Sequence, residues 1–243
     1  MNDLNIFLLM GQSNMVSRAS LTEVESLSHP DILAFKQDQW GTAAEPLHEN
    51  RQGLGIELCM TFALELIERN QDVRIGLIPC AEGGTPLERW EEGADLYTRA
   101  LQMARAAQSA GTIKGILWHQ GESDSRSAEL AGTYLDRFSA MIGALRRDLG
   151  GNEPIPVIVG ELGNFLSNYE DSENLFVAWQ EVNDALRQAA QTLPAAGFVS
   201  SEGLEDKGDS VHFNAVALRE FGRRYAREYL AVAQREGIEL ENR

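Results

Sequence analysis

The chain has 243 residues, 43% of them hydrophobic, which suits one α/β domain with a sizeable core and leaves no bias toward disorder. Acidic residues outnumber basic ones 37 to 21, for a formal charge of -16. Nucleic acid and anionic membrane both need basic patches, so neither is an expected partner, and a neutral substrate is a better expectation than a polyanion.

The first element is the apolar run Leu4–Met10, which breaks off into Gly11, Gln12, Ser13 and Asn14. It is too short for a membrane span and lacks the basic flank of a leader, so the expected setting is cytoplasmic unless a leader has been removed. The stretch Val16–Arg51 has no clean period and is expected to form long loops beside the first strand. His29 and His48 fall in it and read as solvated loop histidines. A helical pattern over Ile56–Glu68 follows, then the strand Val73–Pro79, closed by Cys80. Cys59 and Cys80 lack the close spacing of a zinc site and read as buried thiols. The loop "CAEGGTPLERW" leads into a helix over Leu96–Ser109 and the strand Ile113–Trp118, which ends in "WHQGESD". A helix over Ala128–Asp148, the strand Ile155–Val159, a helix over Leu175–Gln191 and the strand Ala196–Val199 come next. The last helix spans Asn214–Glu236, with Val216, Leu218, Phe221, Tyr225 and Leu230 roughly on one face.

Strands that are apolar throughout, alternating with helices, predict a parallel sheet covered on both faces. The expectation is a three-layer α/β/α sandwich with a central five-stranded parallel sheet, in one domain over residues 1–243. Ligands of such sheets sit at the carboxyl ends of the strands. The loops there are "GQSNM", "CAEGGTPLERW", "WHQGESD", "GELGNF" and "DSVHFN". Asp209 stands three positions before His212, so it can accept from one imidazole nitrogen while the other stays free to take a proton. Alternatively, Asp209 or Ser210 only caps the helix. A base needs a nucleophile, and Ser13 is the candidate, with Ser123 as a rival hydroxyl. Backbone N–H groups at Gly83 and Gly84 and the side-chain amide of Gln120 are the kind of donors a tetrahedral oxyanion requires.

"GQSNM", "GGT" followed by a Trp, "HQGESD" and a terminal D-x-x-H-F together resemble the SGNH-hydrolase superfamily. More narrowly they resemble the branch of sialate O-acetylesterase-like proteins and family 6 carbohydrate esterases, which includes acetylxylan esterases. The resemblance runs from Gly11 to about Phe221. It implies a flavodoxin-like fold and removal of O-acetyl groups from sugars with no metal or cofactor. It implies Ser13 as nucleophile in preference to Ser123, His212 as general base and Asp209 as the supporting acid, with Glu122 as the other acid able to orient His212. It implies an oxyanion hole of the Ser13 and Gly84 N–H groups and Gln120. The family often continues "GQSNMAGRG"; here Ser17 and Ala19 replace the two glycines while Arg18 keeps its place. Gln12, Arg18, Trp90 and Glu161 are the candidates for substrate contact. The partner is then a small-molecule or oligosaccharide acetyl ester. Alternatives are a lipase or thioesterase of the same superfamily, or a sugar-binding module without catalysis. No P-loop or Gly-x-Gly-x-x-Gly follows a strand, which removes the usual nucleotide-binding signals.

Overall fold

The computed structural model describes residues 3–48, 55–70, 72–150, 154–171 and 175–242. The apolar runs become strands β1 (Leu4–Gly11), β4 (Arg74–Pro79), β5 (Gly111–His119), β6 (Val157–Gly160) and β7 (Ala196–Val199). They pair in parallel in the order β4-β1-β5-β6-β7. β1 lies in the middle with all eight residues buried, which is why it reads as a continuous apolar run. Its one polar side chain, Asn5, donates to Arg74 O and Glu241 O and accepts from Glu241 N.

The sheet has seven strands, not the expected five. Residues 28–44, expected as loop, supply β2 (Ser28–Lys36), parallel to β4, and β3 (Gln39–Ala44), antiparallel to β2 at the edge. They turn through Gln37 and Asp38, both at positive φ (49° and 59°), the geometry that matches a hairpin's twist. β2 escapes a search for apolar runs because its first half is exposed or half-exposed and only Ile32, Ala34 and Phe35 are buried. The last residues of the irregular stretch, 49–51, lie outside the described residues.

Helices cover both faces. On one, α2 (Leu58–Arg69) packs on α7 (Ala215–Glu236), and Phe7 of β1 meets Phe62 and Tyr229 edge-on, at 5.0 and 4.9 Å between centroids. The other carries α3 (Asp95–Ala107), α5 (Tyr134–Leu149) and α6 (Trp179–Thr192). The helix expected over Ala128–Asp148 is interrupted at Thr133, so that α4 (Ala128–Gly132) precedes α5. α7 starts at Asn214, whose side chain accepts from Ala217 N, and ends at Gly237 in the left-handed region. Val216, expected on its core face, is 67% exposed. Among the described residues no helix is long and apolar enough to cross a membrane.

Candidate active site

β1 delivers Ser13 to the carboxyl edge of the sheet. Gln12 N donates to His119 O, tying the end of β1 to the end of β5. The chain then coils into a single helical turn, α1 (Ser13–Val16), in which Met15 and Val16 both donate to Gln12 O. Ser13 N–H is left at the open end of that turn.

The loop after β7 returns to the same place. Asp206 accepts from Gly208 N and Ser210 N, Lys207 N donates to His212 O, and Asn214 N donates to Glu205 O. These bonds fold the loop on itself just before α7. Within it Asp209 Oδ1 accepts from the N–H groups of Val211 and His212, at 3.0 and 2.8 Å. Its other oxygen lies 2.8 Å from His212 Nδ1, and His212 Nε2 lies 2.9 Å from Ser13 Oγ. Burial raises the Asp209 carboxyl, but the His212 ring and the two backbone N–H groups outweigh it and bring it down to about 2. Burial lowers His212 below its usual 6.5, against the pull of Asp209, so the ring is neutral at pH 7. An anion on Nδ1 fixes the tautomer with the proton there and leaves Nε2 bare toward the serine.

Ser13 and His212 face a cleft of about 340 Å³ lined also by Gln12, Arg18, Gly83, Gly84, Glu122, Ser123, Arg126, Phe176 and Val211. Gly84 has a φ of +71°, which turns its peptide in a way an L side chain resists, and its N–H donates to no other described residue. A larger cleft, about 580 Å³ among Thr112, Pro154 and Gly237, lies at the opposite, amino edge of the sheet, away from these groups.

Three expected site residues do not stand where the sequence placed them, and a fourth, Glu122, stands in the cleft without supporting His212. Trp90 is fully buried, donates from Nε1 to Thr85 Oγ1 and packs edge-on against Trp118 at 5.5 Å, so it is core and cannot stack on a sugar. Gln120 is fully buried and spends its amide on Thr85 O and Asp124 Oδ2, which leaves no donor for an oxyanion. Glu161 pairs with Arg187 at 2.9 Å and accepts from Ser200 and Ser201, binding the end of β6 to the chain beyond β7. Glu122 lines the cleft but accepts from Asn14 at 2.6 Å, while His212 takes its carboxylate from Asp209. Gln12 and Arg18 do line the cleft, although Gln12 Oε1 also accepts from Ser123 N.

Sequence reasoning misses three residues of the site, Asn14, Arg126 and Phe176. Asn14 makes the bond to Glu122, and Arg126 lies 4.9 Å over the ring of Phe176 on the cleft wall. Asn14 belongs to the GQSNM stretch, but a polar residue after a serine carries no signal of its own. Phe176 falls inside an expected helix that begins only at Trp179. His48, expected in solvent, is buried, with Nδ1 at 2.9 Å from Glu57 Oε2 and Nε2 accepting from Ala81 N. It is a second His–acid pair, and both ring nitrogens are consumed in holding the loop. Both cysteines are free and buried, and among the described residues no group of three His, Cys, Asp or Glu could hold a metal.

Residues 3–231 match the family described as "Carbohydrate esterase, sialic acid-specific acetylesterase". A probable carbohydrate esterase of Arabidopsis thaliana is 30% identical over 93% of this chain and 90% of its own length. An Arabidopsis crystal structure superposes with a TM-score of 0.82 at 28% identity, covering 95% of this chain and 99% of that one. The structure of NanS follows at a TM-score of 0.78 and 18% identity, over 96% and 98% of the two chains. A carbohydrate acetylesterase from Xanthomonas citri gives 0.67 at 22% identity, over 96% of this chain and 56% of its own. The last two likenesses speak for the fold alone. The family match over nearly the whole chain, together with the Arabidopsis relative, decides the assignment: the chain belongs to the carbohydrate esterase family of sialic acid-specific acetylesterases.

Proposed function

We propose that this protein removes O-acetyl groups from carbohydrate through an acyl-serine intermediate. The observation that carries the reading is the unbroken chain from Asp209 through His212 to Ser13, with contacts of 2.8 and 2.9 Å. His212 Nε2 takes the proton of Ser13 as Oγ attacks the acetyl carbonyl carbon. The carbonyl electron pair moves to oxygen, and the N–H groups of Ser13 and Gly84 hold that oxyanion. The pair then returns, the ester C–O bond breaks, and His212 gives its proton to the departing sugar oxygen. Water attacks the acyl-serine next, and His212 repeats both transfers to release acetate. Asp209 stays ionised throughout and stabilises the imidazolium.

The cleft also supports a choice of sugar. Arg18 and Arg126 put two guanidinium groups on the wall of a cleft in a protein of net charge -16. That pairing favours a sugar that carries a carboxylate, such as an acetylated sialic acid, over neutral acetylated xylan. The test is acetate release from both substrates and from an aryl acetate, in wild type and in Ser13→Ala. Ser13→Ala should lose on the order of a thousandfold or more on every substrate while keeping its fold. Full activity in Ser13→Ala would defeat the acyl-serine reading, and xylan turned over faster than sialate would defeat the choice of sugar.

A further inference from the structure

Asn14 follows Ser13 in α1 and is buried. Its Nδ2 donates to Val211 O at 3.0 Å and to Glu122 Oε1 at 2.6 Å, and its Oδ1 accepts from Phe213 N at 3.1 Å. Val211 and Phe213 are the two neighbours of His212 in the chain. One amide therefore grips the backbone on both sides of the ring that faces Ser13. It can do so in one orientation only. Turned over, it would set its NH₂ against the Phe213 N–H and its oxygen against the Val211 carbonyl. The oxygen of Glu122 selects the working orientation, because it too requires a donor.

The surroundings of Glu122 say in what form it does this. Tyr225 gives its single O–H proton to Trp118 O at 2.8 Å, so His119 Nδ1, 3.2 Å from the same phenol oxygen, must be the donor there. His119 Nε2 is then a bare lone pair, 3.8 Å from Glu122 Oε1, and neither it nor Glu122 Oε2 has a hydrogen-bond partner among the described residues. Burial holds His119 down at about 3 and pushes Glu122 up to about 7, against the Asn14 amide and the backbone N–H groups of Glu122 and Gly121. A lone pair this close to a carboxyl tolerates the acid better than the anion. The other charged groups about it are Asp124 in the same loop, Asp209 beyond His212, and Arg18 and Arg126 on the cleft wall. Glu122 thus carries less negative charge at pH 7 than an ordinary carboxylate, and in either form its Oε1 accepts from Asn14.

We infer that Asn14 and Glu122 are positioning residues: Asn14 clamps the backbone on either side of His212, and Glu122 locks the Asn14 amide in the clamping orientation. The inference rests on Ser13 and His212 being the reacting pair. Displacing a catalytic base by about 1 Å can cost on the order of 10²-fold, and that is the scale expected here.

The test is a double-mutant cycle on aryl acetate hydrolysis, with kcat and KM measured separately. Asn14→Leu and Glu122→Leu should each lower kcat by on the order of 10²-fold with KM unchanged, and the double variant should be no worse than Asn14→Leu alone. Glu122→Gln, which keeps an acceptor for Asn14, should recover kcat to within about threefold of wild type. Losses that multiply in the double variant, a rise in KM in place of a fall in kcat, or Glu122→Gln as impaired as Glu122→Leu would each overturn the clamp. Should the leucine variants not fold, Asn14→Ala carries the same test. It removes all three bonds without adding bulk, so it should fall as far as expected for Asn14→Leu, and wild-type kcat in it would overturn the inference. Ser13→Ala runs in parallel: activity there defeats the underlying esterase reading, whereas a silent Ser13→Ala beside an additive cycle defeats the clamp alone.

Discussion

Asp209→Asn tests the site most sharply because the surroundings dictate how the new amide must sit. The Oδ1 position receives two backbone N–H groups, from Val211 and His212. The amide oxygen takes that place, since an NH₂ there would face two fixed backbone donors, whereas the Lys207 ammonium, 3.1 Å from the other oxygen, sits on a half-exposed side chain that can turn away. The NH₂ then points at His212 Nδ1, at the 2.8 Å now held by the carboxylate. Nδ1 has to become the acceptor, and the ring proton moves to Nε2, 2.9 Å from Ser13 Oγ. A base that presents N–H to its nucleophile cannot take a proton from it. The change should cost about four orders of magnitude in kcat, or about 5 kcal/mol of barrier. A second effect runs with it. The Asp209 anion favours the imidazolium and works against burial, so removing it lowers His212 further below 6.5. Activity requires neutral His212, so the acid limb of the residual rate should move to lower pH. The assay is the pH dependence of kcat/KM for an aryl acetate in both proteins. A variant within about tenfold of wild type, or an acid limb that moves upward, would refute the assignment of Asp209 as the support of His212.

Trp90→Ala should destabilise the protein by about 3–5 kcal/mol in urea unfolding, because it empties a buried site against Trp118, and Trp90→Phe should leave KM for sugar esters unchanged. A raised KM without loss of stability would return Trp90 to the substrate. Acetate should be released at least about tenfold faster than octanoate, since a cleft of about 340 Å³ lined by Arg18, Arg126, Glu122 and Ser123 offers a long acyl chain little apolar wall. Equal rates would point to a lipase-type pocket. Glu122 is raised from 4.5 to about 7 by burial, so its contribution to stability is whole below pH 4.5 and declines as pH rises through 7. Glu122→Gln should therefore gain on wild type by up to about 3 kcal/mol across that window, seen as a growing difference in Tm. A difference in Tm that stays constant with pH would show that the carboxyl is not perturbed.

Features that lie close together in the sequence, or carry an unusual local pattern, are legible in the amino-acid order alone. The alternation of apolar runs and helical patterns locates five of the seven strands, because strands buried on both faces must be apolar throughout. Ser13 stands out because an apolar strand ends abruptly beside it, and Asp209 and His212 because three residues' separation lets a carboxylate reach a ring within one loop. What the sequence leaves open depends on neighbours distant in the chain. Gln120, Glu122 and Trp90 stand in motifs that look equally suited to a cleft or a core. Only the packing of Thr85, Asp124, Asn14 and Trp118 around them settles which, since a polar side chain is free for a ligand only when nothing else satisfies it. The edge hairpin is hidden for a related reason. Half-exposed strands carry no continuous apolar run, so β2 and β3 become visible only through the backbone ladder that joins them to β4. The grip of Asn14 on both neighbours of His212 spans about two hundred residues of chain, and a contact of that range is written in tertiary structure alone.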